Sequence, residues 1–222
     1  MISKIELAER KTTLSDREFT YYAPVNDETV CGTYWAIKEG DFKIDKIMFD
    51  SGDVIIDIGS NVCLFSCFVA KMFPFVKIYA FDANPLACLC ARINRNVNNI
   101  TNLEIFNKAI GAENRRDVKF YSSIKETSNS TGENYSSRAG KLETCDQISI
   151  NEIFENKLLG INKIKYLKID VEGMENEIIN SMDREIIPQI EHLHLEIHSY
   201  EWAGSLKQKT LELFGKKWIN SN

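Results

Sequence analysis

The sequence predicts an α/β fold built on a doubly wound, mostly parallel sheet. Short apolar runs rich in β-branched residues alternate with longer amphipathic stretches through three consecutive units. The first run, Val54–Ile58, is apolar enough for a central strand covered on both faces. It passes through a turn at Gly59 into residues 62–73, which are apolar nearly all round, as a buried helix is.

Length and composition fit one domain of ordinary size. The chain has 222 residues, of which 44% are hydrophobic and 27% charged. We expect residues 1–50 to form an N-terminal cover segment over one edge of the sheet and residues 51–222 to form the domain. The net charge of −5 gives no reason to expect a nucleic-acid partner or an anionic membrane. No run has transmembrane length and the N-terminus lacks the apolar core of a signal peptide, so we expect a cytoplasmic protein.

The second unit contains a clear helix start. Residues 76–81 predict a second strand, which Asp82 follows. Asn84 is a favoured N-cap residue and Pro85 a favoured first helical residue, so a helix is predicted over residues 86–97. In the first unit, Gly59-Ser60-Asn61 likewise offers two residues that can cap the helix predicted over residues 62–73. The other predicted elements are strands at 19–22, 103–106, 117–122, Ile164–Ile169 and 192–198, and helices at 33–42, 148–155, 174–182 and 206–214.

Residues 125–141 form a polar segment rich in serine, asparagine and glycine. A segment of that length without regular structure is usually a functional lid or disordered, and both readings stay open. As a lid, the segment would be ordered by a bound substrate and not by a cofactor, with Tyr135 and Arg138 as its anchors.

Polar residues follow several predicted strands at their carboxyl ends, where doubly wound sheets bind ligands. Gly59, Asp82, residues 107–111 and Asp170 all occur at such positions. Asp57 lies inside the otherwise apolar first strand. Because an unpaired buried carboxylate is costly, Asp57 should meet a cation or hydrogen-bond donors.

The fifth predicted strand carries all three histidines. His192, His194 and His198 share one face with Glu196. We expect His192 and His194 to be satisfied by structural neighbours. His198 lies at the carboxyl end of the strand, so we expect it to be functional.

Two nucleotide-type ligands suit such a crevice, a nicotinamide dinucleotide and S-adenosylmethionine. Dinucleotide binding favours Gly-x-Gly-x-x-Gly, but Asn61 and Leu64 stand at the second and third glycine positions. S-adenosylmethionine has no phosphate and carries a cationic amine and sulfonium, which suit an acid at Asp57. Asp82 can accept hydrogen bonds from both ribose hydroxyls. The residues therefore favour S-adenosylmethionine as the cofactor.

At these positions the sequence resembles the FkbM-type S-adenosylmethionine-dependent methyltransferases. The resemblance covers about residues 50–200 and implies a Rossmann-like methyltransferase topology with seven strands. It also implies methylation of a hydroxyl group on a sugar, polyketide or other small metabolite. The matching segments are Val54 to Asn61, Tyr79 to Pro85, Leu167 to Glu175 and, more weakly, Asn107 to Gly111, Thr144 to Asp146 and Leu195 to His198.

The strand ends and the resemblance together give the candidate site. His198 would act as a general base that Asp170 orients, because an ordinary imidazole titrates near neutrality. Glu172 would either bind acceptor hydroxyls or cap the following helix. By analogy with some related methyltransferases, Asp170, Glu196 and His198 could instead be ligands of a divalent metal. We expect the base-assisted site, which has no metal. The expected cofactor-binding residues are Asp57, Gly59, Ser60, Asn61, Asp82, Ala83, Lys108 and Ala109.

Two features depart from the family pattern. Cys63 stands where the motif usually closes with glycine, which would move the helix start away from the cofactor. The chain also ends near Ile219, where a sixth strand should begin, so we expect incomplete last strands. An incomplete edge would reflect a truncated chain, a self-association surface or a decayed enzyme.

The alternative function is therefore a noncatalytic adenosyl-binding or interaction protein that keeps the fold, and a dinucleotide oxidoreductase ranks third. For the enzyme we expect a small-molecule or glycan hydroxyl acceptor, no nucleic-acid partner and no membrane insertion.

Overall fold

A six-stranded parallel sheet forms the centre of the computed structural model, which describes residues 6–25, 27, 29–123, 129–130, 140–155, 161–198 and 203–220. In chain order the elements are β1 (Leu7–Leu14), β2 (Arg17–Pro24), α1 (Thr29–Glu39), β3 (Val54–Ile58), α2 (Leu64–Met72), β4 (Lys77–Asp82), α3 (Pro85–Val97), β5 (Leu103–Asn107), β6 (Ala109–Gly111), β7 (Arg115–Ser123), β8 (Asn129–Ser130), β9 (Gly140–Ser149), α4 (Ile150–Glu155), β10 (Ile164–Ile169), α5 (Glu175–Ser181), β11 (Ile190–Leu195), α6 (Ala203–Phe214) and β12 (Trp218–Asn220).

The strand order of the central sheet confirms the predicted doubly wound fold. The strands lie in the order β12-β11-β10-β3-β4-β5, and every pairing is parallel. The chain enters this sheet at its middle with β3, continues outward through β4 and β5, and then returns to β10 on the other side of β3. This is the Rossmann-like order, and its reversal between β3 and β10 marks the expected ligand crevice. The sixth strand, β12, has three residues, and no seventh strand joins this sheet within the described ranges.

Local sequence explains the elements that border the crevice. β3 contributes Ile55 to the hydrophobic cluster on one face of the sheet and Ile56 and Ile58 to the cluster on the other, so both faces are covered. The predicted cap of α3 is confirmed, because the side chain of Asn84 accepts hydrogen bonds from the backbone N–H groups of Leu86 (2.9 Å) and Ala87 (3.4 Å).

The fifth strand is shorter than predicted. β11 ends at Leu195, so Glu196 and His198 lie in the segment after the strand. The physical reason is that its neighbour β10 ends at Ile169, which pairs with Leu195 and accepts one last hydrogen bond from the backbone N–H of Glu196 (3.0 Å). The pairing of β10 with β11 ends there among the described residues.

A second sheet lies beside the first, in the order β6-β9-β7-β8. Part of the polar segment 125–141 belongs to it, because β8 pairs with β7 and residues 140–141 begin β9. Residues 125–128 and 131–139, including Tyr135 and Arg138, lie outside the described residues, and the lid stays a prediction.

The N-terminal hairpin packs against the region of helix α3. β1 and β2 pair antiparallel, and β2 hydrogen bonds to two asparagines of the α3 region. The backbone of Tyr22 exchanges hydrogen bonds with the Asn94 side chain (2.6 and 3.1 Å), and that of Thr20 does so with Asn98 (3.2 and 2.6 Å).

Among the described helices, none has both the length and the apolar character needed to cross a bilayer.

Candidate active site

A cavity of about 360 Å³ opens at the carboxyl ends of the central strands. Its volume lies in the range of small-molecule sites. Helix α1 supplies part of the wall through Gly32, Thr33 and Ala36. All the expected site residues except Asp57 line this cavity, namely Gly59, Ser60, Asn61, Asp82, Ala83, Lys108, Ala109, Asp170, Glu172 and His198.

Gly59 forms a contact between two strands that only glycine allows. Its φ is +75°, and a Cβ atom at this position would lie 1.7 Å from the backbone oxygen of Asp170. The backbone N–H of Gly59 donates to the carbonyl of Phe81 (2.9 Å), and that of Asp170 donates to Ile58 (3.0 Å). The turn is therefore held against both neighbouring strands at the point where the strand order reverses.

The start of α2 differs from the expected capping by Ser60 and Asn61. The residue before the helix is Cys63, whose backbone is left-handed (φ +56°) and whose side chain makes no capping hydrogen bond. Cys63 is fully buried. Glycine adopts this conformation without steric cost, which accounts for the glycine that usually closes the family motif.

Asp82 lies at the end of β4 and is buried in the cavity wall. Its two carboxylate oxygens accept hydrogen bonds from the backbone N–H groups of Asn61 (2.7 Å) and Asn84 (2.8 Å). Burial raises the pKa of Asp82 to about 6, although these two hydrogen bonds act in the opposite direction. The carboxylate is thus fixed beside the Gly59 turn.

Asp57 lies behind the turn and contributes no surface to the cavity. It is completely buried, and its Oδ2 accepts a hydrogen bond from the Ser66 hydroxyl (2.7 Å). The cation that its burial requires is Lys168, whose Nζ lies 3.4 Å from Oδ1. The sequence alone predicts no role for Lys168, which is one of two lysines in the strand Ile164–Ile169.

Four carboxylates surround the imidazole of His198. Nδ1 lies 2.7 Å from Oε1 of Glu175, which is buried, and Nε2 faces three further acids. The distances from Nε2 are 3.7 Å to Asp170, 3.8 Å to Glu172 and 3.5 Å to Glu196. The sequence predicts an orienting role for Asp170, whereas the shortest contact of the imidazole is with Glu175, which ends the segment Asp170 to Glu175 of the family signature.

These acids change the expected protonation of His198. Burial alone would lower the pKa of His198, but the hydrogen bonds to Glu175 and Glu196 and the charges of Glu172 and Asp170 raise it to about 11. The site therefore stabilises an imidazolium at neutral pH, whereas the sequence suggested a base with an ordinary pKa. Glu172 is not at the N-cap position of α5, which is occupied by Met174.

The same cluster has donors that suit a divalent cation. The ligand-type atoms of Asp170, Glu196 and His198 all lie within 4.8 Å of one another. Carboxylate oxygens combined with an imidazole nitrogen form a mixed donor set.

His194 is a core residue, but the expected polar neighbours do not satisfy its Nδ1, which is buried without a hydrogen-bond partner among the described residues. It is 1% exposed and packs against the rings of Phe42 (4.9 Å between centroids) and Tyr166 (6.5 Å). Burial lowers the pKa of His194 to about 3, so this imidazole is neutral. The two histidines differ because His194 lies within β11, whereas His198 lies beyond the end of that strand.

Two curated proteins show limited similarity to the chain. AMB antimetabolite synthetase AmbE of Pseudomonas aeruginosa is 25% identical over 187 residues, which cover 69% of this chain and 9% of the synthetase. Methyltransferase 1 of Beauveria bassiana is 21% identical over 171 residues, which cover 69% of this chain and 68% of that protein. The chain thus spans less than a tenth of the length of the first relative.

Solved structures show distant likeness. The precorrin-6y C5,15-methyltransferase of Geobacter metallireducens has a TM-score of 0.46 and 13% identity over 76% of this chain and 66% of that one. Trm5b of Pyrococcus abyssi has a TM-score of 0.43 and 14% identity over 96% of this chain and 49% of that one.

A family model gives the assignment. The model described as Methyltransferase FkbM domain matches residues 57–216, from Asp57 on β3 to Lys216, which lies between α6 and β12. The match includes every expected site residue and confirms the resemblance noted in the sequence motifs. The chain belongs to the FkbM methyltransferase family.

Proposed function

We propose that this FkbM-family methyltransferase uses S-adenosylmethionine to methylate a hydroxyl group of a sugar, polyketide or other small metabolite. The observation that carries the proposal is that one cavity joins two chemically different halves. Gly59, Asn61 and Asp82 line one half, which we call the cofactor half. Asp170, Glu172, Glu196 and His198 line the other, which we call the acceptor cluster.

The cofactor half suits an adenosyl ligand. Asp82 is a fixed carboxylate at the end of the second sheet strand, where it can accept hydrogen bonds from ribose hydroxyls. The missing Cβ at Gly59 brings the backbone of the turn to the cavity wall. The acids of the acceptor cluster favour a cationic sulfonium nearby.

The acceptor cluster suits the removal of a hydroxyl proton. The cofactor supplies an activated methyl group, so the protein must align the acceptor oxygen with the methyl carbon and take its proton. The oxygen–carbon bond forms as the carbon–sulfur bond breaks, and the leaving thioether is neutral. We assign the proton to a carboxylate of the acceptor cluster, because His198 is already protonated at neutral pH and its imidazolium has no lone pair to accept one. Such a base typically contributes roughly 100- to 10,000-fold.

The similarity to an antimetabolite synthetase supports a small-metabolite acceptor, but the proposal rests on the cavity. A noncatalytic adenosyl-binding protein is the competing function, because the same cofactor half would serve it. The two differ in whether the methyl group leaves the cofactor.

The first experiment is calorimetry on the full chain with S-adenosylmethionine, S-adenosylhomocysteine and oxidised nicotinamide dinucleotide. We expect both adenosyl ligands to bind and the dinucleotide not to bind. The second experiment supplies methyl-labelled S-adenosylmethionine with a panel of sugars and polyketide alcohols and detects labelled product by mass spectrometry. Binding without transfer to any hydroxyl would support the noncatalytic alternative, and binding of the dinucleotide alone would overturn both.

A further inference from the structure

A buried lysine connects the two halves of the cavity. Lys168 is 3% exposed and lies on β10, directly beside Asp57 in the parallel pairing of β10 with β3. An ammonium group that leaves water without partners is strongly destabilising, so the acceptors around Nζ must compensate for its burial.

Three acceptors from three segments surround Nζ. It donates hydrogen bonds to Oδ2 of Asp170 (2.9 Å) and to the backbone oxygen of Gly59 (3.4 Å), and it forms an ion pair with Oδ1 of Asp57 (3.4 Å). A lysine ammonium has three N–H donors, so one is available for each acceptor. These acceptors belong to β3, to the glycine turn that follows it, and to the residue after β10.

The contacts fix the rotation of the Asp170 carboxylate. Lys168 binds Oδ2, while Oδ1 faces Nε2 of His198 at 3.7 Å. Asp57 is fixed in a similar way, because Ser66 binds its Oδ2 and Lys168 faces its Oδ1. A continuous series of polar contacts therefore runs from Asp57 through Lys168 and Asp170 to His198.

We propose that Lys168 is a positioning residue that orients Asp170 toward His198 and couples the cofactor half to the acceptor cluster. Asp57, which does not line the cavity, acts on the site through Lys168. The names of the two halves rest on the proposed function, whereas the coupling itself rests on the contacts of the lysine.

The chain offers a matched control on the same strand. Nζ of Lys165 lies 2.9 Å from Glu191 and 3.8 Å from Asp53, so this lysine also bridges two acids, but it does not line the cavity. Lys165→Met and Lys168→Met therefore remove the same group from the same strand. A general effect of losing a lysine on β10 would appear in both variants.

The direct readout is the imidazole spectrum of the ¹⁵N-labelled full chain at fixed pH, without cofactor or acceptor. The protein has three histidines, and His198→Ala assigns the signals of interest. We expect the His198 signals to move in Lys168→Met and to stay in place in Lys165→Met. Unchanged His198 signals in a folded Lys168→Met protein would overturn the proposal. Because no ligand is present, this result is independent of whether the proposed function is correct.

Two further variants keep the test open if Lys168→Met does not fold. Asp57→Asn removes the other end of the series and should move the His198 signals in the same direction. Lys168→Arg retains the charge and should restore the wild-type spectrum in part. Unchanged His198 signals in a folded Asp57→Asn protein would also overturn the coupling.

Turnover on an acceptor identified by the labelling screen gives a second readout. We expect kcat of Lys168→Met to fall by roughly 100-fold, as misplaced catalytic groups often cause, while the Kd for S-adenosylhomocysteine stays near the wild-type value. The double variant with Asp170→Asn should be no slower than Asp170→Asn alone, because both changes disturb the same carboxylate. Fully additive losses would mean that Lys168 acts by another route.

Discussion

Nδ1 of His198 lies 2.7 Å from Oε1 of Glu175, a carboxylate that does not line the cavity. Glu175 is 1% exposed, and its oxygens also accept hydrogen bonds from the backbone N–H of Gly173 (3.0 and 3.2 Å). The acid is therefore fixed at the start of α5, and the imidazole is fixed by the acid. This contact determines that Nε2 points toward Asp170, Glu172 and Glu196.

Glu175→Gln should weaken the pH dependence of stability. The pKa of His198 is raised from 6.5 to about 11, so its stabilising effect is complete below 6.5 and is lost as pH rises toward 11. Across that window one such group changes the free energy of unfolding by at most about 1.4 kcal/mol per pH unit. Urea unfolding should show a shallower decline for Glu175→Gln than for wild type.

His198→Ala is the control for this experiment, because it removes the titrating group. Its decline over the same window should be shallower than that of Glu175→Gln, because Glu196, Glu172 and Asp170 still raise the pKa of His198 in that variant. Parallel curves for all three proteins would show that Glu175 does not hold the imidazole in its charged form.

Asp82 should govern both the strength and the pH dependence of cofactor binding. Asp82→Ala removes charge-assisted hydrogen bonds and should cost roughly 1.5 to 3 kcal/mol of affinity for S-adenosylhomocysteine. Because burial raises the pKa of Asp82 to about 6, protonation below that pH should weaken binding, and affinity should rise as pH increases through 6. Calorimetry over a pH series should show this step in wild type but not in Asp82→Asn. Unchanged affinity in a folded Asp82→Ala protein would refute the placement of the ribose.

Gly59→Ala and Gly40→Ala should differ although both glycines have left-handed backbones. Gly40 has φ +74° and open space within 4 Å, so alanine there should cost roughly 1 to 2 kcal/mol. Gly59 has φ +75°, and its new Cβ would meet the backbone oxygen of Asp170 at 1.7 Å. A backbone atom cannot move aside cheaply, so the turn must separate from β10. We expect a larger loss in urea unfolding and loss of S-adenosylhomocysteine binding for Gly59→Ala alone. Equal effects at both positions would contradict the close contact.

The features that sequence predicts well are those set by neighbouring residues. The Asn84 cap depends on two N–H groups within three residues of it, and β3 depends on its own apolar run. The turn at Gly59 is predictable because the sequence pattern changes from strand to helix at that residue. Each of these signals is contained in a short window of sequence.

The missed features depend on residues that meet only through the fold. Lys168 pairs with Asp57 because β10 lies beside β3 in a particular register, and that register is set by the whole sheet. Glu175 meets His198 because β11 ends with its neighbour β10, which releases the segment after Leu195. The pKa of His198 follows from these contacts, so its ordinary value was a poor guide.

The acceptor cluster should support transfer without a metal ion. Asp170→Asn removes a carboxylate that can take the proton, and His198→Ala removes the imidazolium around which the carboxylates are arranged. Each should lower kcat by roughly 100- to 10,000-fold on an identified hydroxyl acceptor, the range of a positioned base. The matched control is Glu104→Gln, an exposed acid on β5 outside the cavity, which should retain turnover.

A chelator distinguishes this mechanism from a metal-assisted one. Asp170, Glu196 and His198 could hold a divalent ion, since their donor atoms lie within 4.8 Å of one another. If such an ion polarised the acceptor hydroxyl, chelation would abolish transfer and added Mn²⁺ or Mg²⁺ would restore it. We expect turnover to be unchanged after chelation, because the proton is assigned to the side chains themselves. Wild-type turnover in Asp170→Asn and His198→Ala, singly and together, would instead show that the chemistry does not occur at these strand ends.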